Sequence, residues 1–507
     1  MTMHRSIAAA LMIAAGSVAP LRAQESSPAP TLPTALPEKS MVRVNITSQP
    51  YNQMLPWQKV SPGTRRGLGA LLSGNRVLVT AELAQDASYA ELEIAASGRK
   101  LTAKIEAIDY EVNLATVVPE GDAGDFFNGM VPLEVDTALK PKAKIDVWQF
   151  ENNGSPVTSS MELNRADMGN YFLDEQPFLL FQANGAVQYR GGTFTLPVIH
   201  EGKLGGMLLR YNTRDQVADI LPAVMIDRFL KDAAEAPYDG FPSFGAKLSA
   251  TLDPQLRSFL RLDGIEGGVL ITSVVPNFSA DRAGLKEGDV LLEINGLKLD
   301  SRGYYTDPDY GILGASHILR GRTKAGETAK LRVFRDSKQM DLDCPMLRRN
   351  PTDYLIDPYM FDRGPRYLIL GGIILQELNL PYLQRGSRNG SDWRDNAPFR
   401  LMYAQANQED ILETGRRKLV FLSAVLPAPC NQGYERLRQL IVTKVNGKVI
   451  NDIKDLAEAV KSPIDGIHHV EFDDFPRIIH IDAAAADEDA KEFLPKRYRI
   501  NKLARLE

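Results

Sequence analysis

Cysteine is almost missing from this chain: 507 residues contain two, Cys344 and Cys430. A scaffold held by many disulfides is thereby excluded. Two arrangements stay open, one bridge in an oxidising compartment or two buried thiols in separate domains. Histidine is scarce as well, six residues in all. Beyond the N-terminal segment these are His200, His317, His468, His469 and His480. Adjacent residues of a strand point to opposite faces, so His468-His469 makes no metal pair; neither metal nor cofactor is expected. A basic surplus is missing too. The formal net charge is −5, which gives no general field for nucleic acid. After the N-terminal segment no apolar run approaches the length of a membrane-spanning helix, so none is expected in the mature chain. What is present, 44% hydrophobic and 24% charged residues, is ordinary for a globular chain with room for several domains.

The N-terminus reads as an address. Met1–Ser6 carries Arg5, Ile7–Ala19 is a short apolar run, and "PLRAQ" offers a cut after Ala23. Residues 1–23 are therefore expected to be a secretory signal, with no cysteine near the cut for a lipid anchor. Residues 24–40 hold four prolines in a polar background and read as a tether.

Three compartments follow. Residues 41–235 are rich in short strands bounded by Gly, Asn, Asp or Pro, which predicts a closed or sandwich β architecture. Its end, "QVADILPAVMIDRFLKDAAEA", has helical apolar spacing. Residues 243–347 contain "GGVLITSVVPNFSADRAGLKEGDVLLEINGLKL", with a tight hairpin expected at Asn295-Gly296. Residues 351–490 contain "LIVTKVNGKVINDIKDLAEAV", which repeats that logic around Asn446-Gly447. Residues 491–507 read as a tail.

These residues resemble a family. The stretch 267–299 looks like a PDZ domain of the HtrA/Deg type, and "YLILGGIILQELNLPYL" with "VNGKVINDIKDLAEAV" is similar to the second PDZ domain of Deg enzymes. "IDYEVNLATVVP", 108–119, looks like the strand carrying the family's catalytic aspartate, and "GGTFTLPVIHEGKLGGMLL" like the strand pair after its nucleophile. The resemblance implies a mainly β fold, a chymotrypsin-like double β-barrel followed by two PDZ domains. It also implies secretion to the periplasm, trimer-based homo-oligomers, and PDZ domains that engage chain ends or exposed segments of other proteins.

Carried over residue by residue, the family's base histidine falls on Glu82 and its aspartate on Asn113. The nucleophile falls on Thr193 without a gap, or on Phe194 with one. A hydroxyl needs an adjacent base to become a nucleophile. A glutamate, whose ordinary pKa is about 4.3, is ionised at neutral pH and is a poor base toward it. Loss of the serine or histidine alone costs on the order of 10⁶ in turnover in this chemistry. The triad-equivalent positions are thus expected to be inactive, and a secreted pseudoprotease that binds polypeptides in protein quality control is the leading reading. Two others stand beside it: an active serine endopeptidase whose site is misaligned, and a structural envelope protein that uses PDZ folds to assemble.

A PDZ domain adds an extended peptide to a sheet edge, receives its terminal carboxylate on backbone amides and selects one side chain in a pocket. By resemblance the first such loop and edge are Phe244, Gly245, Ala246, Lys247 and Leu248, with Leu248 and Leu270 lining the pocket. The second loop is Leu370, Gly371, Gly372 and Ile373. The insertion 301–327 is expected to gate the first groove, and 384–400 to be a contact loop.

Overall fold

A computed structural model describes residues 35–173, 177–188, 195–385 and 393–507. The signal segment, most of the tether, Thr193, Phe194 and the middle of the 384–400 insertion lie outside these residues. Residues 37–40, expected in the tether, form a helical turn that leads into the first strand.

Among the described residues, the first six strands close a barrel. They are β1 (Met41–Ser48), β2 (Gly63–Leu72), β3 (Arg76–Val79), β4 (Ala87–Glu93), β5 (Lys100–Asp109) and β6 (Leu114–Pro119), in the order β1-β2-β3-β6-β5-β4. The next six close a second: β7 (Lys144–Phe150), β8 (Pro156–Asn170), β9 (Pro177–Asn184), β10 (Leu196–His200), β11 (Lys203–Asn212) and β12 (Val217–Pro222), ordered β10-β11-β12-β9-β8-β7. Inward residues such as Val42, Val44 and Ile46 of β1 are wholly buried, the period-two signature of a filled small barrel. The helical spacing read at 216–236 holds only from Ala223 to Ala234. Residues 217–222 pair with both β11 and β9, and these bonds close the barrel, which outweighs local periodicity.

The first PDZ sheet runs β14 (Ala246–Ala250), β15 (Val269–Val274), β16 (Val290–Ile294), β20 (Thr328–Arg335), β21 (Lys338–Pro345), with β17 (Leu297–Lys298) paired to β16. Two short strands, β13 (Pro242–Ser243) and β22 (Leu347–Arg348), pair at its base. Asn295 and Gly296 take φ of 51° and 79°, the left-handed pair that a two-residue hairpin demands. The insertion forms a hairpin, β18 (Tyr304–Asp307) with β19 (Gly311–Gly314), then a π-helical turn, His317–Arg322. It packs against the second barrel: Phe181 meets Tyr310 with ring centroids 5.6 Å apart, and Tyr305, Leu313 and Ile318 join Val147 and Phe181 in one apolar core.

The second PDZ sheet runs β29 (Ile478–Asp482), β28 (Ile467–Phe472), β26 (Leu440–Val445), β25 (Val420–Val425), β24 (Ile373–Glu377), β23 (Tyr367–Leu370), β30 (Ala504–Arg505), with β27 (Lys448–Val449) paired to β26. Residues read as a tail thus supply its edge strand. Among the described residues, four short helices, Leu380–Gln384, Trp393–Asn396, Phe399–Ala406 and Gln408–Glu413, stand between β24 and β25. Both cysteines are free: Cys344 is buried in the first PDZ domain, and Cys430 lies against Gly371 of the second.

Candidate functional site

The turn after β3 and the turn before β6 meet where the first barrel faces the second. Thr80 precedes the helical turn Ala81–Ala84, and Tyr110–Asn113 form the other turn. Asn113 is buried and left-handed, φ 56°, and its Oδ1 accepts a hydrogen bond from the Glu82 amide at 2.9 Å. Sequence-matched Glu82 and Asn113 are therefore brought together, through backbone and carboxamide. The Glu82 side chain stands exposed at the rim. Protein crowding around its carboxyl raises the pKa, and the positive charges of Arg65 and Arg210 oppose that rise. Arg65 Nη1 also donates to the Glu82 carbonyl at 2.9 Å.

Replacing Asn113 with alanine removes that acceptor and puts a Cβ residue with little taste for left-handed backbone in its place. A stability loss of about 2 kcal/mol is expected in thermal or urea unfolding. Asn113→Gly, which relieves the backbone but not the lost bond, should lose less.

Thr195, the first described residue after Thr193 and Phe194, is buried. Its carbonyl and its Oγ1 each lie 3.3 Å from the Leu68 amide. A Cβ on Gly67 would come within 2.2 Å of that Oγ1, so glycine permits this approach of the two barrels. The five imidazoles of the described residues are engaged elsewhere. His200 Nδ1 pairs with Asp136 at 2.6 Å, His317 with Tyr305 and His468 with Asn446, and His469 packs edge-on against His480. No hydrogen bond joins an imidazole to a serine or threonine hydroxyl among the described residues.

A feature that sequence reading missed covers this region. Tyr359 and Phe361, between the two PDZ sheets, pack tilted against Tyr110 with centroids 5.5 and 4.7 Å away, and Phe361 also meets Phe172 of the second barrel at 5.2 Å. Ala81, next to Glu82, belongs to the same cluster. Asp86 and Asp362 exchange hydrogen bonds, each amide donating to the other's carboxylate at 2.8 and 2.9 Å, and the Tyr110 hydroxyl donates to Asp362. Nearby, Glu111 is bound to Arg320 of the first PDZ domain at 2.6 Å; burial raises its pKa and the Arg320 charge opposes that.

In the first PDZ domain, Phe244 is buried, and its carbonyl accepts from the Ala280 amide at 3.0 Å; the Gly245 carbonyl accepts from Val275 at 2.7 Å. Gly245 has a φ of 71°. β14 follows with Ala246, Lys247 and Leu248, pairs with β15 alone, and keeps its other edge unpaired among the described residues. Leu248 lies opposite Ile271, and Leu270 opposite Ser249, so Leu248 and Leu270 fall on opposite faces of the sheet. Leu270 packs with Leu262 and Phe334 instead. In the second PDZ domain Leu370, Gly371, Gly372 and Ile373 make the turn between β23 and β24. The edge of β24 that would receive a peptide is taken by β23, and β23 in turn by β30.

A PDZ-domain family model matches residues 243–303, and a second PDZ-domain model matches 356–504. Protease Do-like 4, a mitochondrial protein of Arabidopsis thaliana, is 24% identical over 426 residues, which cover 83% of this chain and 77% of that protein. Protease Do-like 2 of the same plant, chloroplastic, is 24% identical over 444 residues, 86% of this chain and 70% of its own. The solved structure of the HtrA-type protease AlgW with a decapeptide superposes on 62% of this chain and 97% of its own, at 16% identity and a TM-score of 0.46.

Proposed function

Since the chain belongs to the HtrA/Deg family, we propose that it is a pseudoprotease, a member that binds polypeptides or a partner protein through its first PDZ domain without cleaving them. One observation supports this reading: Glu82, the residue matched by resemblance to the family's base, has only its backbone amide bound to the Asn113 carboxamide, while the imidazoles of the described residues are engaged elsewhere. A threonine hydroxyl with no imidazole to take its proton keeps it near neutral pH. The aromatic cover of Tyr359 and Phe361 supports the same reading, because an extended substrate would have to displace it. The unpaired edge of β14 supports peptide binding by strand addition, with main-chain hydrogen bonds giving affinity and a pocket giving specificity. The second PDZ domain, its edge filled by the chain itself, serves architecture. A secreted, periplasmic setting and trimer-based assembly complete the proposal, the first supported by the signal-like N-terminus.

The test is casein degradation and fluorophosphonate labelling of the mature chain, beside suppression of aggregation of a thermally unfolded client. Aggregation is expected to be suppressed at stoichiometric concentrations, with casein intact and no label incorporated. Cleavage together with labelling would establish an active endopeptidase instead.

A further inference from the structure

Three of the five imidazoles of the described residues give a ring nitrogen to a neighbour, His200 to Asp136, His317 to Tyr305 and His468 to Asn446. The other two, His469 on β28 and His480 on β29, have no protein hydrogen bond on either ring among the described residues, and face each other. Sequence neighbours on a strand point apart, but residues directly opposite on paired strands point the same way. His469 and His480 are such partners in the β28–β29 register. The His469 amide and carbonyl turn toward Asn446, and those of His480 toward the Tyr434 hydroxyl, both away from the shared ladder. The pair is thus of the non-hydrogen-bonded kind, whose Cα atoms approach to about 4.5 Å and whose side chains stand closest. His480 is exposed and His469 half-buried.

The ring centroids are 4.8 Å apart at an interplanar angle of 87°. Two imidazoles that hold one ion through nitrogens at about 2.0–2.1 Å, at about 90–110° to each other, have centroids roughly 4.5–5.2 Å apart. The backbone therefore sets the rings at chelating distance already. Two carboxylates share this face beside the pair: Glu471, two residues along β28, which Lys444 faces from β26, and Asp482, two along β29. Asp482 caps the following helix by accepting from the Ala485 amide at 2.8 Å. No third His, Cys, Asp or Glu completes a metal cluster among the described residues.

We infer that His469 and His480 chelate one late divalent transition-metal ion, with water in its remaining positions. Rotation of the rings converts their edge-on contact into two nitrogens aimed at one point. The site goes beyond the peptide-binding reading and does not depend on it. Imidazole nitrogen suits copper, nickel and zinc, and the general order of affinities places copper(II) above zinc(II). Because β29 is the outermost strand of its sheet, the ion clasps that edge to β28.

Isothermal titration of the mature chain, purified without a histidine tag, with ZnCl2 and with CuCl2 tests this, beside electron paramagnetic resonance of the copper form. One equivalent of either metal is expected to bind, copper the tighter, with nitrogen coordination in the copper spectrum. His469→Gln and His480→Gln should each weaken binding by about 10²-fold, the avidity that one linked ligand lends the other. His200→Gln should bind as the wild-type chain does. Zinc should raise the melting temperature of the wild-type chain, as any ligand of the folded state does, and leave that of H480Q unmoved. No saturable binding, or binding and a melting shift that persist in H480Q, overturns the inference. A loss confined to H200Q also overturns it, because the ion would then sit at His200 and Asp136. Where H469Q fails to fold, H480Q decides, since that side chain is exposed at the sheet edge.

Discussion

Replacing Asp357 with alanine is expected to destabilise the second PDZ domain by about 3–5 kcal/mol, the range for removing one partner of a buried ion pair. Asp357 is buried at the start of that domain and binds Lys418, itself buried, through Oδ1. Its Oδ2 lies 2.9 Å from Arg363 and 3.4 Å from Arg366. Arg366 keeps Glu377 at 2.9 Å, and Lys418 keeps the Tyr354 carbonyl at 2.6 Å. The alanine therefore strands a buried ammonium with one neutral acceptor, and burial already pulls the Lys418 pKa down. Urea unfolding checks the loss. The double variant D357A/K418M should recover much of it, because the apolar replacement of both charges removes the desolvation cost with the attraction. Equal losses in the single and double variants would show that the ion pair is not the cause.

The second large effect is acid sensitivity centred on His317. This imidazole is buried, its Nδ1 lies 2.6 Å from the Tyr305 hydroxyl, and that hydroxyl donates to Asp307 at 2.7 Å. Burial pushes the His317 pKa down to about 4; the negative Asp307 opposes the shift and Arg322 reinforces it. The unfolded chain titrates near 6.5. Below that pH the unfolded state takes up a proton that the folded state refuses, so stability falls as pH drops from about 6.5 to about 4. The full loss is on the order of 3 kcal/mol at 1.36 kcal/mol per pKa unit. His468 is shifted in the same direction by burial. His317→Gln should accordingly flatten, and not abolish, the slope of stability between pH 7 and 4, whatever it does to the level at pH 7. An unchanged slope would mean that His317 is protonated in the folded state.

Local chemistry makes much of the fold readable. Asn295-Gly296 and Asn446-Gly447 announce their hairpins because few other pairs accept two left-handed residues in a row. Glu82 and Asn113 stand out for a similar reason: a strand running into Thr80-Ala81 and the "EVNLA" turn are short, continuous patterns, and the Glu82 amide does meet the Asn113 carboxamide. What stays hidden is non-local. Residues 217–222 carry helical spacing, yet bonds to β9 and β11 decide their state. Nothing near Gly371-Gly372 says that β24 is already paired on both sides, or that residues from the far end of the chain extend the sheet. Tyr359 and Phe361 lie in an aperiodic connection, where only the folded molecule reveals what each side chain touches. The insertion 301–327 reads as a gate because it is long for its domain, and it proves to be mortar between barrel and sheet.

The exchange of hydrogen bonds between Asp86 and Asp362 joins residues 276 apart in sequence. It makes the connection between the PDZ sheets a mechanical strut rather than a slack leash. Residues 359–362 are anchored at Tyr110 and Asp86 of the first barrel as well as by the chain on either side, so this connection cannot shift without breaking those contacts.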